Sequence, residues 1–141
     1  MSGFLLDTNV ISELVKPTSD SKVTRWIDAT DESLLCLSVL TLGEIRKGIA
    51  LLPDASRRVS LETWLDHELV LRFADRILAI DQAVADRWGR IAAQALMAKS
   101  ALPVIDGLLA ATAMRHNLTL VTRNTKDVVA TGVAVFNPWK S

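Results

Sequence analysis

Short apolar runs alternate with helical patterns along the chain. Runs typical of buried strands occupy residues 4–6, 34–37, 76–80, 118–122 and 133–136. Between them, apolar residues recur at steps of three and four, which is the pattern of one face of a helix. Strands separated by helices predict βαβ crossovers. We therefore expect an α/β fold with a central, mostly parallel sheet and helices on both faces.

Capping residues and prolines set the expected limits of the helices. Thr8-Asn9 offers capping chemistry for a first helix that Pro17 ends, and Ser38 and Asp81 are expected N-caps of two later helices. The expected helices are residues 8–14, a segment carrying Val23, Trp26 and Ile27, then residues 38–52, 55–71, 81–95 and 105–116.

Length and composition predict a single domain over residues 1–141. Half of the 141 residues are hydrophobic, which is enough for one compact core. Sixteen Lys and Arg balance sixteen Asp and Glu, so the formal net charge is zero. This balance counts against a protein that holds nucleic acid by bulk electrostatics alone. It is compatible with a nuclease in which a bound metal supplies positive charge locally.

The sequence gives no sign of export or of a membrane. Cys36 is the only cysteine and lies in an apolar run, so we expect a buried thiol and no intrachain disulfide. The apolar start at Phe4-Leu5-Leu6 is too short for a signal peptide, and no run could span a bilayer. A soluble, cytoplasmic protein is expected.

Four acidic residues are expected to meet at one edge of the sheet. Asp7 directly follows the first strand, and Asp127 lies about one turn beyond the strand that ends at Thr122. Asp106 opens a late helix, and Glu44 lies off the apolar stripe of its own helix. Ligands of open parallel sheets bind outside the carboxyl ends of the strands. The pattern thus predicts that these carboxylates converge on a common rim.

Such a rim suits a hard divalent cation. Mg²⁺ and Mn²⁺ prefer oxygen ligands, and clustered carboxylates repel one another unless a cation neutralises them. A metal held there would activate water for phosphodiester hydrolysis. Each acid also has an ordinary interpretation: Asp7 as a turn residue, Asp106 as a helix N-cap, Glu44 as a solvated partner of Lys47, and Asp127 as a surface turn residue. The pattern alone leaves both interpretations open.

Five blocks of sequence resemble PIN-domain ribonuclease toxins of the VapC/FitB type. The blocks are residues 4–14, 38–48, 106–113, 120–124 and 135–139, in the family's order and over nearly the whole chain. The resemblance implies a PIN-like three-layer α/β/α sandwich. It also implies a Mg²⁺- or Mn²⁺-dependent endoribonuclease that acts as the toxin of a toxin–antitoxin system.

The same resemblance implies roles for individual residues. Asp7, Glu44 and Asp106 would be catalytic and would hold the metal. Many PIN domains carry an Asp directly after a Thr-Arg pair, where this chain has Asn124. Either Asn124 supplies a neutral oxygen, or Asp127 acts as a fourth catalytic acid. The supporting neighbours that the resemblance implies are Thr8, Asn9, Thr122 and Asn124.

The family also implies partners: an RNA substrate, a cognate antitoxin of the VapB/FitA type, and a homodimer or a toxin–antitoxin hetero-oligomer. Trp26, Trp64 and Trp88 are candidates for those contacts, and are equally well explained as partly buried core residues. A non-catalytic, RNA- or partner-binding PIN domain is an alternative, although all three core acids are present.

Other folds that begin with a strand and an Asp fit less well. A phosphatase of the haloacid-dehalogenase type carries a second Asp two residues on, where this chain has Asn9, and a Thr where it has Ile11. A receiver domain requires paired acids near the first strand and a Lys after a late strand, where Arg123 is a poor substitute. We retain a metal-dependent phosphatase only as a minor alternative.

Overall fold

The computed structural model describes residues 2–140, which form eight helices and five short strands. The strands are β1 (Phe4–Leu6), β2 (Leu35–Ser38), β3 (Ile77–Leu78), β4 (Thr119–Val121) and β5 (Val135–Phe136). The helices are α1 (Thr8–Glu13), α2 (Ser21–Ala29), α3 (Val39–Ala50), α4 (Ala55–Trp64), α5 (Val70–Arg72), α6 (Gln82–Met97), α7 (Val104–Arg115) and α8 (Thr125–Val128). Short 3₁₀ turns occupy Glu32–Leu34, Val129–Thr131 and Pro138–Lys140.

The five strands form one sheet in the order β3-β2-β1-β4-β5. Every strand pair in the described chain is parallel, with Phe4 opposite Leu35 on one side and opposite Thr119 on the other. The prediction of a mostly parallel sheet is confirmed. The chain leaves central β1 first toward β2 and later returns to β4 on its other side. The carboxyl ends of β1 and β4 therefore flank a topological switch point, where open α/β sheets bind ligands.

Helices cover both faces of the sheet. Because successive strand side chains point to opposite faces, Leu6 and Val121 pack toward one side and Leu5 and Leu120 toward the other. The first side packs against α1, α2, α3 and the α4–α5 segment, and the second packs against α7 and α8. Helix α6 packs on α7 through a small separate cluster around Ala111. The expected three-layer α/β/α architecture is confirmed.

A glycine sets the close approach of α6 to α7. A Cβ atom on Gly107 would lie 3.1 Å from two ring atoms of Trp88 and 3.3 Å from a methyl group of Leu102. Such distances are tighter than ordinary van der Waals contact, so any larger residue would displace the Trp88 ring or the α7 backbone by a few tenths of an ångström. Because Gly107 directly follows Asp106, this packing also fixes the part of α7 that carries the acid.

Several local predictions need correction. Asp7, rather than Thr8 or Asn9, is the N-cap of α1, and α1 ends at Glu13, before Pro17 is reached. The predicted helix over residues 55–71 is helical but contains a π-helical turn, Leu65–Leu69, between α4 and α5. The predicted strand at 76–80 pairs only at Ile77–Leu78, since it lies at the edge of the sheet and Ile80 leads directly into the cap of α6.

Two predicted helix caps are confirmed, and one prediction about burial needs correction. Ser38 caps α3 by accepting a hydrogen bond from the backbone N–H of Leu40, and Asp81 caps α6 through that of Val84. Cys36 is half-buried rather than fully buried, and its burial raises the pKa of the thiol. No helix within residues 2–140 combines the length and apolarity needed to cross a bilayer.

Candidate active site

A cleft of about 370 Å³ opens at the carboxyl ends of β1 and β4. Its walls come from the strand ends, from α1, α3 and α7, and from the last 3₁₀ turn. The lining residues are Asp7, Thr8, Asn9, Ser12, Lys16, Glu44, Asp106, Arg123, Asn124 and Trp139. The structure thus brings three of the four predicted acids into one cleft.

Asp7 is held on one wall by its neighbours. The residue is only 8% exposed, and its carboxylate accepts two hydrogen bonds, from the Thr8 backbone N–H at 2.7 Å and from the Thr122 hydroxyl at 2.8 Å. Burial raises the pKa of Asp7, the two hydrogen bonds oppose that shift, and the charge of Glu44 adds to it. The backbone N–H of Asp7 also bonds the Val121 carbonyl, which joins the end of β1 to β4.

The Thr122 hydroxyl is oriented by its own hydrogen bonds. Its oxygen accepts from the Asn9 side-chain amide at 3.3 Å and from the Asn124 backbone N–H at 3.1 Å. A hydroxyl has one proton and two acceptor sites. With both acceptor sites used, the proton of Thr122 is directed at Asp7. Asn9 is itself oriented, because its side-chain oxygen accepts from the backbone N–H of Arg123 at 3.4 Å.

Glu44 is connected to Asp7 through a single residue. The hydroxyl of Thr8 donates a hydrogen bond to a Glu44 carboxylate oxygen, while the Thr8 backbone N–H bonds Asp7. Glu44 is half-buried on α3, off the stripe formed by the core residues Ile45 and Ile49. Thr8 therefore sets the relative positions of two acids from separate parts of the chain.

Asp106 is positioned differently, by the helix that carries it. It lies in the first turn of α7, whose N-cap is Pro103, so it is not the cap itself. Within residues 2–140 its carboxylate has no hydrogen-bond donor. Burial raises the pKa of Asp106, and the negative charges of Asp7, Asp127 and Glu44 raise it further. Asp106 therefore interacts electrostatically with all three of the other predicted acids.

The structure separates Asp127 from the cleft wall. Asp127 lines a different pocket, of about 170 Å³, between the end of α6 and α8. Asn124 lines the carboxylate cleft itself, and its backbone N–H supports Thr122. The negative charge of Asp127 acts on the cleft by raising the pKa of Asp106. The catalytic role suggested for Asp127 stays a prediction.

The donor set of the cleft suits a hard divalent cation. Among residues 2–140 no group of three Asp, Glu, His or Cys side chains is close enough to form a closed metal cage. Mg²⁺ seldom uses such a cage, because it keeps several waters and binds through one or two carboxylates and substrate phosphates. Asp7, Glu44 and Asp106 offer only oxygen ligands, and two of them have raised pKa values that a cation would relieve.

Sequence reasoning missed part of the cleft. Ser12, Lys16 and Trp139 line it, and the Trp139 indole N–H donates to Glu13 at 3.3 Å. Residues 13 and 139 are 126 positions apart, so no local pattern could have paired them. The only available signal was that both lie within blocks that resemble the family.

The three tryptophans proposed as contact residues occupy different environments. Trp26 packs between the rings of Phe4 and Phe136, each with its centroid at 5.1 Å. Trp88 packs on Gly107 and belongs to the cluster between α6 and α7. Trp64 lines a pocket of about 280 Å³ beside the cleft, and Thr8 and Glu44 line both. All three tryptophans are partly buried and pack against the core, and Trp64 in addition lines a pocket beside the site. Their role in partner contacts stays a prediction.

Comparison with protein-family models identifies the family of the chain that carries these acids. The PIN-domain family model matches residues 4–130, which include all four predicted acids. This chain belongs to the PIN-domain family. Its match extends from β1 into the 3₁₀ turn after α8, so the PIN domain includes every helix of the described fold.

Individual PIN-domain relatives match over almost their full length. Toxin FitB of Neisseria gonorrhoeae is 40% identical over 135 residues, covering 96% of this chain and 97% of that protein. A VapC ribonuclease of Sinorhizobium fredii is 38% identical over 136 residues, covering 96% of this chain and 97% of the relative. This chain is similar to both.

Solved structures agree with this PIN-domain assignment. The crystal structure of FitAcB from Neisseria gonorrhoeae contains a chain that superposes with a TM-score of 0.94 at 39% identity, covering 98% of this chain and 99% of that one. A toxin–antitoxin complex from Klebsiella pneumoniae contains one with a TM-score of 0.64 at 27% identity, covering 96% and 98% of the two chains.

Proposed function

We propose that this PIN domain is a Mg²⁺- or Mn²⁺-dependent endoribonuclease and the toxin of a toxin–antitoxin system. The observation that carries the proposal is the cleft in which Asp7, Glu44 and Asp106 meet at the carboxyl edge of the sheet. The names of the similar proteins, a toxin and a ribonuclease, support the same activity.

The three acids would bind the cation in two different ways. Asp7 and Glu44 are fixed through Thr8, so they form a preorganised pair of oxygen donors. Asp106 faces the same cleft with no hydrogen bond from the described residues, which leaves its carboxylate oxygens available. When bound by these residues, the cation would neutralise them and supply positive charge to the scissile phosphate and the attacking water.

The raised pKa values give the site its need for a cation. Asp7 and Asp106 both have pKa values above the ordinary one because they are buried close to other acids. An acid whose charged form is disfavoured binds a cation with a favourable release of that repulsion. Supporting residues contribute by position: Thr122 holds Asp7, and Asn9 and Asn124 hold Thr122.

The proposed toxin role includes partners. We propose that a cognate antitoxin of the VapB/FitA type binds this chain and blocks the cleft, in a homodimer or a toxin–antitoxin hetero-oligomer acting in the cytoplasm. The apolar pocket beside the cleft, with Trp64 and Leu61 in its wall, offers a surface for an apolar antitoxin segment. The solved toxin–antitoxin complex from Klebsiella pneumoniae, which contains a chain of similar fold, supports this partner class.

The test is cleavage of total cellular RNA by the purified protein. Incubation with Mg²⁺ or Mn²⁺ is expected to produce fragments, and EDTA is expected to prevent them. Asp106→Asn should lose the cleavage while keeping the fold, since no described hydrogen bond depends on its carboxylate. Asp86→Asn, an exposed acid on α6 that pairs with Arg90, is the matched control and should cleave normally. Cleavage by Asp106→Asn equal to that of the control would contradict the proposal.

A further inference from the structure

Two cationic side chains, Lys16 and Arg123, line the cleft among the acids, and they have different partners. The Lys16 ammonium pairs with Glu13 at 3.3 Å. The Arg123 guanidinium instead lies over the indole ring of Trp139, with its central carbon 5.2 Å from the ring centroid. Within residues 2–140, Arg123 forms no ion pair with a carboxylate.

The ring beneath Arg123 is itself fixed. The indole N–H of Trp139 donates to Glu13 at 3.3 Å, and the Trp139 backbone N–H donates to the Asn137 side chain at 2.9 Å. Glu13 is only 3% exposed and also accepts from the backbone N–H of Asp20 at 3.1 Å. The Trp139 ring is thus anchored to a buried carboxylate at the end of α1.

The base of Arg123 is fixed as well. Its backbone N–H donates to Asn9, whose amide supports Thr122 and, through it, Asp7. The backbone of Arg123 is therefore bound to the residues that hold Asp7, and its guanidinium lies on the face of the Trp139 ring. A ring face attracts the cation without using its N–H donors. No group within residues 2–140 accepts a hydrogen bond from the Arg123 guanidinium, so its five N–H donors are available to a ligand as far as the described residues are concerned.

A free guanidinium in an acidic cleft matches a specific ligand. The planar fork of an Arg side chain binds phosphate oxygens in a bidentate manner. An Arg that served only to balance the acids would be expected within ion-pair distance of one of them, and Arg123 is not within that distance of any described acid. A phosphate is also the group that the proposed substrate carries at every nucleotide.

We propose that Arg123 binds a backbone phosphate of the RNA next to the scissile one, and that Trp139 and Glu13 are positioning residues for it. This inference rests on the proposed ribonuclease function. The carboxylates and their cation would take the scissile phosphate. Arg123, at the same cleft, would then fix the register of the strand by holding the neighbouring phosphate.

Steady-state kinetics and RNA binding test the inference. The substrate is total cellular RNA for kinetics, and the binding probe is a short fluorescent single-stranded RNA of mixed sequence, titrated at several salt concentrations. Arg123→Gln should raise KM roughly tenfold, as for the loss of one charge-assisted contact to a phosphate, with kcat nearly unchanged. The slope of log affinity against log salt should become shallower by roughly 0.7, the value for one phosphate of a single strand.

Further variants separate a positioning role from a structural one. Trp139→Phe keeps a ring but removes the N–H that bonds Glu13, so KM should rise less than for Trp139→Leu, which removes the ring as well. Arg123→Lys keeps the charge but not the bidentate fork, and should recover the salt slope but only part of KM. Arg90→Gln, an exposed Arg on α6 paired with Asp86, is the matched control and should change neither.

The outcomes distinguish this inference from the proposed function. A wild-type protein that cleaves RNA, with Arg123→Gln equal to Arg90→Gln in KM and salt slope, would overturn the inference alone. A fall in kcat with KM unchanged would also overturn it, since Arg123 would then act on the transition state. A wild-type protein that neither binds nor cleaves RNA would overturn both.

Discussion

The two walls of the cleft place chemically identical groups by different means. On the wall formed by β1 and β4, the Asp7 carboxylate is buried and accepts two hydrogen bonds. On the wall formed by α7, the Asp106 carboxylate has no donor among the described residues. The Asp7 carboxylate thus takes part in hydrogen bonds of the folded chain as well as lining the cleft, whereas the Asp106 carboxylate only lines the cleft.

The difference has an energetic consequence. Burial raises the pKa of both acids, but hydrogen bonds from Thr122 and Thr8 offset part of the shift at Asp7. At Asp106 the neighbouring charges of Asp7, Asp127 and Glu44 add to the shift instead. Without a cation, the charged form of Asp106 therefore opposes folding, and neutralising it should stabilise the protein.

The largest expected effect comes from Asp106→Asn. We expect RNA cleavage to fall by at least about 100-fold, as for loss of a metal ligand or its support. In EDTA the same variant should have a higher Tm than wild type, because one of the mutually repelling charges is gone. Thermal unfolding in EDTA measures the Tm without a cation, and unfolding with Mg²⁺ measures how much the cation stabilises the fold. The rise in Tm on adding Mg²⁺ should be smaller in the variant than in wild type. A lower Tm in EDTA would contradict the comparison of the two walls.

The matching change on the other wall should be less favourable to stability. Asp7→Asn should abolish cleavage similarly and should be less stable than Asp106→Asn by about 1–3 kcal/mol, because its lost hydrogen bond opposes the relief of a raised pKa that both variants share. Either orientation of the new amide loses a bond, because an NH₂ group would face Thr122, whose acceptor sites are already used, or the Thr8 backbone N–H. Urea denaturation in EDTA measures the change. Equal stability of the Asp7→Asn and Asp106→Asn variants would mean that the hydrogen bonds do not distinguish the walls.

A smaller effect is expected where α7 is held against α6. Gly107→Ala would place a Cβ atom 3.1 Å from the Trp88 ring, so the ring or the helix must move. Overpacking of this kind costs about 1–3 kcal/mol, which is measured relative to the control below because any Gly-to-Ala change inside a helix also gains helix propensity. Because only the α7 wall moves, the Mg²⁺ dependence of cleavage should shift to higher concentration. Gly89→Ala on α6, where a Cβ would meet nothing within 4 Å, is the matched control. Equal stability of the two variants would show that the packing tolerates the methyl group.

The smallest expected effect is the pH dependence of the Asp106 contribution. The pKa of Asp106 in the folded protein lies above its ordinary value of 3.8. At a pH between the ordinary pKa and the raised one, the folded state therefore binds more protons than the unfolded state. Its contribution to stability therefore falls as pH rises through this range. The gain in stability of Asp106→Asn over wild type, measured in EDTA, should be absent below pH 3.8 and should grow above it. A gain independent of pH would show that the charge of Asp106 is not its origin.

The fold was predictable where the chain determines it locally. The apolar run of β1 and the cap that Ser38 places on α3 follow from a few adjacent residues, and both are confirmed. The π-helical turn at Leu65–Leu69 was not predictable, because the step of four between its buried residues Leu65 and Leu69 is also the step of an ordinary α-helix. The short pairing of β3 depends on its place at the sheet edge, which no local pattern specifies.

The site was predictable as a set of residue types and less so as a geometry. Topology and resemblance named Asp7, Glu44 and Asp106, and the structure places them in one cleft. The hydrogen bonds that separate a fixed acid from a free one depend on contacts between distant residues. Thr122 and Asp7, for example, are 115 positions apart. The same reason hid the anchoring of Trp139 by Glu13.

The long sequence separation between β1 and β4 has a consequence for synthesis of the protein. Asp7 leaves the ribosome early, whereas Val121 and Thr122, which bond its backbone and its carboxylate, are translated much later. Asp7, Glu44 and Asp106 are therefore all translated before β4, and so before the cleft that they line can form. Long-range strand pairing is also a slow step of folding. As the proposed ribonuclease, the chain should not cleave RNA while it is being translated, and should become active only after β4 pairs with β1.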